Sequence, residues 1–121
     1  MILDLEFEDG LLFLVLENIG LRPAHSVRVR FAQPLHGLGG QKRIDRLLIF
    51  RRLELLGPRR RIRILLDRAA LLFAREQDTR LEVRIAWRTD DGDRRSRTVH
   101  HDLAAYRDFP YLEVPSDAAA P

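Results

Sequence analysis

The stretch that decides the fold is residues 2–17, ILDLEFEDGLLFLVLE. In its first half, apolar residues at positions 3, 5 and 7 alternate with acidic ones, which is typical of a strand that buries one face. Asp9-Gly10 follows and favours the tight turn of a β-hairpin. The second half, 11–16, is apolar throughout, so we expect a central strand that is covered on both faces or meets a partner with its outer face.

The same two-residue period recurs along the rest of the chain. Apolar residues alternate with polar or basic ones in 26–31, 61–66 and 81–88, which predicts three further strands. Asp91-Gly92 then turns the chain into 94–102, a polar stretch that we expect to be an edge strand. Antiparallel strands are therefore expected over most of the chain.

Two stretches depart from this period. Residues 43–56 fit neither a strand nor a helix cleanly, and we interpret them as an irregular strand that is entered by a loop and ended by Gly57-Pro58. Residues 68–76 contain good helix formers behind Asp67, a suitable N-cap. These patterns predict an all-β protein, an antiparallel β-sandwich of six to seven strands with one short helix near 68–76.

Length and composition bound the class of protein. The 121 residues suit a single domain, which we place at 1–109, with 110–121 as a C-terminal tail. The chain is 45% hydrophobic and 32% charged, which excludes a disordered chain, and it has no cysteine for a disulfide or a thiol site. No apolar run approaches the ~20 residues of a membrane span and no signal-peptide pattern is visible, so we expect a cytoplasmic protein.

Short motifs along the chain resemble one recurring module. Asn18-Ile19-Gly20 ends a strand, Pro23-Ala24 lies in the following turn, and alternating valines begin the next strand. The likeness continues with Pro34-Leu35, the break at 56–58, the strand–Asp-Gly–strand unit at 81–99 and the ending Asp102-Leu103-Ala104-Ala105-Tyr106. The chain thus resembles an immunoglobulin-like β-sandwich module of uncharacterised bacterial proteins. The resemblance implies an immunoglobulin-like strand arrangement and supplies no catalytic residues.

The sequence contains no recognisable catalytic, cofactor-binding or metal-binding pattern, and we predict that the protein is not an enzyme. Residues 37–40, GLGG, are not followed by the Lys-Ser or Lys-Thr of a phosphate-binding loop. His100 and His101 are adjacent on a predicted strand, so their side chains point to opposite faces and do not share a metal ion. We accordingly assign no catalytic residue, no cofactor and no metal.

The leading hypothesis is a non-catalytic protein-interaction or structural module. A two-layer sandwich buries only one face of the second strand unless another segment covers the other. The predicted contact for a protein partner, or for a homodimer through this sheet, is therefore Leu11, Phe13 and Val15.

The alternative hypothesis is binding of nucleic acid or an anionic surface through the arginine-rich middle, residues 43–63. The chain has a net charge of +3, and residues 22–63 hold twelve basic residues against two acidic ones. The candidate anion contacts are Arg51, Arg52, Arg59, Arg60, Arg61 and Arg63. The immunoglobulin-like resemblance implies that the first strand and the strand after the mid-chain loop belong to one sheet, so the acidic row Asp4, Glu6 and Glu8 should lie near Arg61 and Arg63 and pair with them. We therefore expect no specific nucleic-acid binding.

Overall fold

The computed structural model describes residues 1–112 of the chain. These residues form nine strands, one α-helix and four 3-10 turns. The strands are β1 (Ile2–Glu8), β2 (Leu11–Glu17), β3 (Ala24–Phe31), β4 (His36–Gly37), β5 (Lys42–Arg43), β6 (Leu53–Leu56), β7 (Arg61–Arg68), β8 (Arg80–Arg88) and β9 (Arg94–Asp102). The helix is α1 (Ala69–Ala74), and the 3-10 turns are Ile44–Arg46, Leu48–Phe50, Leu103–Tyr106 and Phe109–Tyr111.

Seven of the strands form two antiparallel sheets. The first sheet has the order β1-β2-β7 and the second has the order β6-β3-β8-β9, while β4 and β5 pair only with each other. The inner residues of both sheets belong to one hydrophobic core, so the sheets face each other. The predicted all-β antiparallel sandwich is therefore confirmed, and β9 is an edge strand as expected.

The core follows directly from the period of two in the sequence. Along most of the strands every second residue points inward and is buried, including one of the two apolar rows of β2. The main contributors are Leu3, Leu5, Leu12, Leu14, Leu16, Val27, Val29, Ile64, Leu66, Leu81, Val83 and Ile85. Burial of each such side chain contributes about 1.5–3 kcal/mol relative to leaving it in water.

The first hairpin is closed by the predicted Asp-Gly turn. Asp9 and Gly10 both have positive φ, 50° and 77°, which is the backbone of a type I′ turn between paired antiparallel strands. Glycine adopts this conformation without strain, and aspartate is among the residues that tolerate it best. The turn sets the register in which Glu8 lies opposite Leu11.

Asn18 joins two loops at one end of the sandwich. Its buried side chain donates from Nδ2 to the carbonyl oxygens of Arg22 (2.9 Å) and Leu56 (3.0 Å), and its Oδ1 accepts the N–H of Gly20 (2.9 Å). The β2–β3 connection is thereby tied to the end of β6. The Asn-x-Gly motif has a structural role here, because every bond of the side chain goes to the backbone.

The predicted helix is present, but its predicted cap is wrong. Helix α1 begins after Arg68 without a side-chain cap. Asp67 is buried instead and accepts hydrogen bonds from the N–H of Gly39 (3.0 Å) and from the guanidinium of Arg75 (2.7 Å). The carboxylate therefore holds the β4–β5 ribbon and the end of α1 against β7.

Residues 43–56 are only partly the irregular strand that the sequence indicated. Two 3-10 turns occupy Ile44–Arg46 and Leu48–Phe50, and strand begins at Leu53. Ile44 and Phe50 both enter the core, whereas Leu48 is exposed. On a straight strand all three side chains would point to the same face, so the chain turns instead. As a result β6 is only four residues long and pairs only with the first half of β3.

The C-terminal end of the described chain packs against the sandwich. The ring of Phe109 lies 6.1 Å from that of Phe7 and 6.4 Å from that of Phe73, centroid to centroid. Of the predicted tail, Pro110 and Tyr111 belong to the last 3-10 turn, and 113–121 lie outside the described residues.

A pair of adjacent substitutions tests which face of β3 is buried. Val29→Asp would place an unpaired carboxylate between the sheets, and we expect it to lower the free energy of unfolding by about 3 kcal/mol or more. Arg30→Glu, one position on, changes an exposed side chain that lies opposite Arg84, so we expect a change of no more than about 1 kcal/mol. Urea unfolding followed by circular dichroism measures both. Equal losses in the two variants would contradict this assignment of faces.

Candidate anion-binding cleft

The outer face of the first sheet carries a layer of ion pairs. Arg63 lies 3.0 Å from the carboxylate of Glu6 (Nε to Oε2) and 2.9 Å from that of Glu8 (Nη2 to Oε2). Arg61 also binds Glu6, and its Nε lies 3.8 Å from the carboxylate of Glu17. The predicted approach of the acidic first strand to Arg61 and Arg63 is confirmed for Glu6 and Glu8. These two arginines are therefore neutralised within the molecule.

The ion-pair layer lies over the predicted partner contact on β2. The guanidinium of Arg63 sits 3.8 Å from the centre of the Phe13 ring, a cation–π contact. Val15 is fully buried although it belongs to the outer row, and Leu11 and Phe13 are half-buried. The chain itself covers much of this row, and the binding of a partner or a second copy there stays a prediction.

The six predicted anion contacts do not share one surface. Arg61 and Arg63 lie on the outer face of the first sheet, whereas the exposed Arg59 and Arg60 lie in the turn between β6 and β7. Arg51 and Arg52 follow the second 3-10 turn, and only Arg51 of the six lines the cleft described next. The prediction placed the arginines in one stretch of sequence, but the strands carry them to different faces.

A cleft of about 580 Å³ opens between β3 and the turns that precede β6. Its lining residues are Arg28, Val29, Arg30, Phe31, Arg43, Asp45, Arg46, Phe50 and Arg51. Five of these are arginines and one is a carboxylate. We call this surface the arginine cleft.

The one carboxylate of the arginine cleft is already occupied. Asp45 accepts hydrogen bonds from Nε (2.9 Å) and Nη2 (2.8 Å) of Arg43 and from the N–H of Leu35 (3.0 Å). The guanidinium of Arg43 is the main reason that the pKa of Asp45 falls from 3.8 to about 2, and the N–H of Leu35 adds to it. Asp45 is therefore ionised at neutral pH and balances Arg43 alone.

The remaining arginines give the cleft its net positive charge. Arg28 lies 3.2 Å from the carboxylate of Glu54 and also donates to the carbonyl oxygen of Val27 (2.9 Å). Arg30, Arg46 and Arg51 form no ion pair with any residue of 1–112. The cleft thus combines concave shape, exposed guanidinium groups and no free counter-charge among the described residues.

Two arginines face each other across neighbouring strands beside the arginine cleft. Arg30 lies directly opposite Arg84 in the β3–β8 pair, and like charges in that position destabilise a sheet. Arg84 donates to the hydroxyl of Ser96 (3.3 Å) rather than to a carboxylate. An anion bound in the cleft would relieve this repulsion.

Sequence reasoning missed Arg28 and Arg30 as site residues and named neither Arg43 nor Arg46 individually. The alternation in 26–31 places Arg28 and Arg30 between the apolar residues of a predicted strand and so on its outer face. Their place in a cleft depends on β6 beginning only at Leu53, and neither residue carries a signal of that in the sequence. Arg43 and Arg46 belong to the arginine-rich middle but also to the stretch whose structure the sequence left open.

The histidines lie where the strand period places them. On β9, His100 points outward, with Nδ1 3.5 Å from a carboxylate oxygen of Glu82, and His101 Nε2 lies 2.6 Å from the carbonyl oxygen of Leu3 on the neighbouring sheet. The two side chains therefore point to opposite faces, as expected.

Among residues 1–112 no group of three or more His, Cys, Asp or Glu side chains is arranged to hold a metal ion. No described helix is long and apolar enough to cross a membrane.

The fold and the cleft define an antiparallel β-sandwich domain with one concave basic surface. The chain belongs to a protein family described as Domain of unknown function (DUF8453), whose model matches residues 1–107. The match covers both sheets and the 3-10 turn Leu103–Tyr106. No curated protein and no solved structure matches the chain.

The pKa of Asp45 predicts a dependence of stability on pH. Because the folded-state pKa of about 2 lies below the ordinary 3.8, ionised Asp45 stabilises the folded protein above pH ~4, and this stabilisation is lost as the pH falls towards 2. The shift corresponds to about 2 kcal/mol. We expect Asp45→Asn to be less stable than the wild type at neutral pH and the difference to shrink by about that amount near pH 2.

Urea unfolding at several pH values measures this difference. The control is Asp91→Asn, which removes an exposed carboxylate of the β8–β9 turn that forms no ion pair within residues 1–112. This control shows how the loss of an aspartate without such a partner affects the unfolding curves. An Asp45→Asn difference that stayed constant between neutral pH and pH 2 would contradict the Arg43–Asp45 pair.

Proposed function

We propose that the protein is a non-catalytic protein-interaction module that binds an acidic segment of a partner protein in the arginine cleft. The observation that carries this proposal is the charge of the cleft. Five arginines line it, and its single carboxylate is already paired with Arg43. A ligand that brings carboxylates would supply the missing counter-charge.

The chemistry of arginine supports a carboxylate ligand. A guanidinium presents its N–H donors in a planar fork that matches a carboxylate, and such charge-assisted bonds are roughly twice as strong as neutral ones. In a concave site they are also less exposed to screening by water and salt than on a flat surface. Arg30, Arg46 and Arg51 are the groups available for these bonds.

The ion-pair layer on the first sheet also favours the cleft over the stretch 43–63 as a whole. Because Arg61 and Arg63 are paired with Glu6 and Glu8, they attract an incoming anion less than their number suggests. Of the arginines of 43–63 that form no ion pair within residues 1–112, Arg46 and Arg51 are the two that line the cleft, where they lie near the arginines of β3.

Nucleic acid is the weaker candidate for the same surface. Proteins that bind single strands tightly combine basic grooves with aromatic rings on which bases stack. The two rings that line the cleft, Phe31 and Phe50, pack edge to face on each other with centroids 5.0 Å apart, and Phe50 is buried. We expect only non-specific affinity for nucleic acid, about 10⁻⁴–10⁻⁶ M at physiological salt.

Fluorescence anisotropy tests the proposal with a labelled heptapeptide of alternating glutamate and valine. Arg30→Glu combined with Arg51→Glu should weaken binding at least about tenfold, because two contacts become repulsive. The matched control is Arg59→Glu with Arg60→Glu, which makes the same change in net charge in the exposed β6–β7 turn. It should leave binding within about threefold of the wild type.

Two results would contradict the proposal. Equal loss in the two double variants would mean that the peptide responds only to net charge. The second result is tighter binding of a single-stranded oligonucleotide that carries the same number of charges as the peptide. It would mean that the ligand is nucleic acid and not an acidic protein segment.

A further inference from the structure

One edge of β3 lacks a neighbouring strand along the arginine cleft. Strand β6 pairs with β3 only at Ala24, His25 and Val27. Beyond that point β3 continues to Phe31, and its other edge remains paired with β8 through the same residue. We call this edge of the second half of β3 open because no strand pairs with it, although the 3-10 turn Leu48–Phe50 lies beside it and the ring of Phe50 packs on that of Phe31.

The direction of the backbone groups on this edge follows from the pairing with β8. Ala32 donates its N–H to the carbonyl oxygen of Glu82 on β8 (2.9 Å). Backbone groups alternate in direction along a strand, so those of Arg30 and Arg28, two and four positions earlier, also point towards β8. The N–H and C=O groups of Val29 and Phe31 therefore point the other way, into the cleft. No hydrogen bond joins these four groups to another residue of 1–112.

The open edge and the arginines form one surface. Val29 and Phe31 line the cleft together with Arg28 and Arg30, whose side chains lie on the outer face of β3. The opposite wall contains Arg46 and Arg51. A chain that bound here would meet unpaired backbone groups on one side and guanidinium groups around it.

We propose that the acidic partner segment binds by adding an antiparallel strand to the open edge of β3, in line with β6. This inference rests on the proposed function and specifies the conformation of its ligand. Strand addition lets main-chain hydrogen bonds provide affinity while alternate side chains provide specificity. Antiparallel pairing is the direction that β3 already has with both neighbours.

The two faces of the added strand meet different surroundings. Side chains on its outer face lie beside Arg28 and Arg30, so carboxylates fit there. Side chains on its inner face lie on the side of Val29, Phe31 and the Phe50 ring packed on Phe31, which are apolar surroundings that suit apolar rather than charged groups. The preferred ligand is therefore a segment of about four to seven residues in which acidic and apolar residues alternate.

The free edge of β9 is a less suitable place for the same pairing. Arg95 and Arg97 lie opposite Trp87 and Ile85, on the inner face of the sheet, yet both arginines are exposed. Inward-pointing charges of this kind block the addition of strands at sheet edges. The corresponding residues of β3, Val29 and Phe31, place no charge on that face.

N-methylated peptides test strand addition separately from charge. In an antiparallel addition, the residues whose side chains face inward, the valines, direct their N–H groups at β3. Methylation of the valine nitrogens in the glutamate–valine heptapeptide should weaken binding at least tenfold. Methylation of the glutamate nitrogens, which point to solvent, should change it less than threefold. Both peptides have the charge of the parent.

Amide hydrogen exchange by NMR locates the pairing on the protein. The amides of Val29 and Phe31 should exchange at least tenfold more slowly with the parent peptide bound. Those of Ser96 and Thr98, whose N–H groups point to the free edge of β9, should not change. A peptide of the same composition with its glutamates and valines in two blocks should give no such protection.

The outcomes separate the two proposals. Equal binding of both methylated peptides, without protection of Val29 and Phe31, would overturn strand addition and leave the acidic ligand standing. Absence of any binding by the parent peptide would overturn the proposed function itself. A third result is dimer formation by the protein alone in sedimentation equilibrium, with the amides of Val29 and Phe31 already protected from exchange. That result would mean that a second copy of the chain, and not a partner segment, pairs with β3.

Discussion

The structure depends on how the outer face of β2 is covered. This strand is apolar on both faces, but a two-layer sandwich provides a core on only one of them. Glu6 and Arg63, from the strands on either side, reach across it, and Arg63 stacks on Phe13 while Val15 is buried beneath the layer. The carbon chains of charged residues thus exclude water from an apolar row while their charged ends remain at the surface.

This layer of ion pairs also determines which basic residues lack an acidic partner. The acidic residues of the first strand are used on the first sheet, where they pair with Arg61 and Arg63. The second sheet and the turns before β6 have no comparable acidic strand. A modest net charge of +3 is therefore compatible with one strongly basic concave surface.

The short length of β6 links the core to the candidate site. Ile44 and Phe50 enter the core from two 3-10 turns, and these turns take up chain that would otherwise extend the strand. Burial of two large apolar side chains contributes about 3–6 kcal/mol, which favours the turns over a longer β6. The same packing leaves the edge at Val29 and Phe31 open and places Arg46 and Arg51 opposite it.

The sequence by itself determined the class of fold, the faces of the strands and the Asp9-Gly10 turn, because the two-residue period and turn chemistry are local properties. The resemblance to immunoglobulin-like modules implied that the acidic first strand and the strand of Arg61 and Arg63 belong to one sheet, and the ion pairs are present, although β2 lies between the two strands. Only the tertiary structure decided that Asp67 binds Arg75 instead of capping α1, and that the arginines of β3 share a cleft with Arg46 and Arg51. Those contacts join residues that are distant in sequence, and they depend on strand lengths and turn positions that core packing determines.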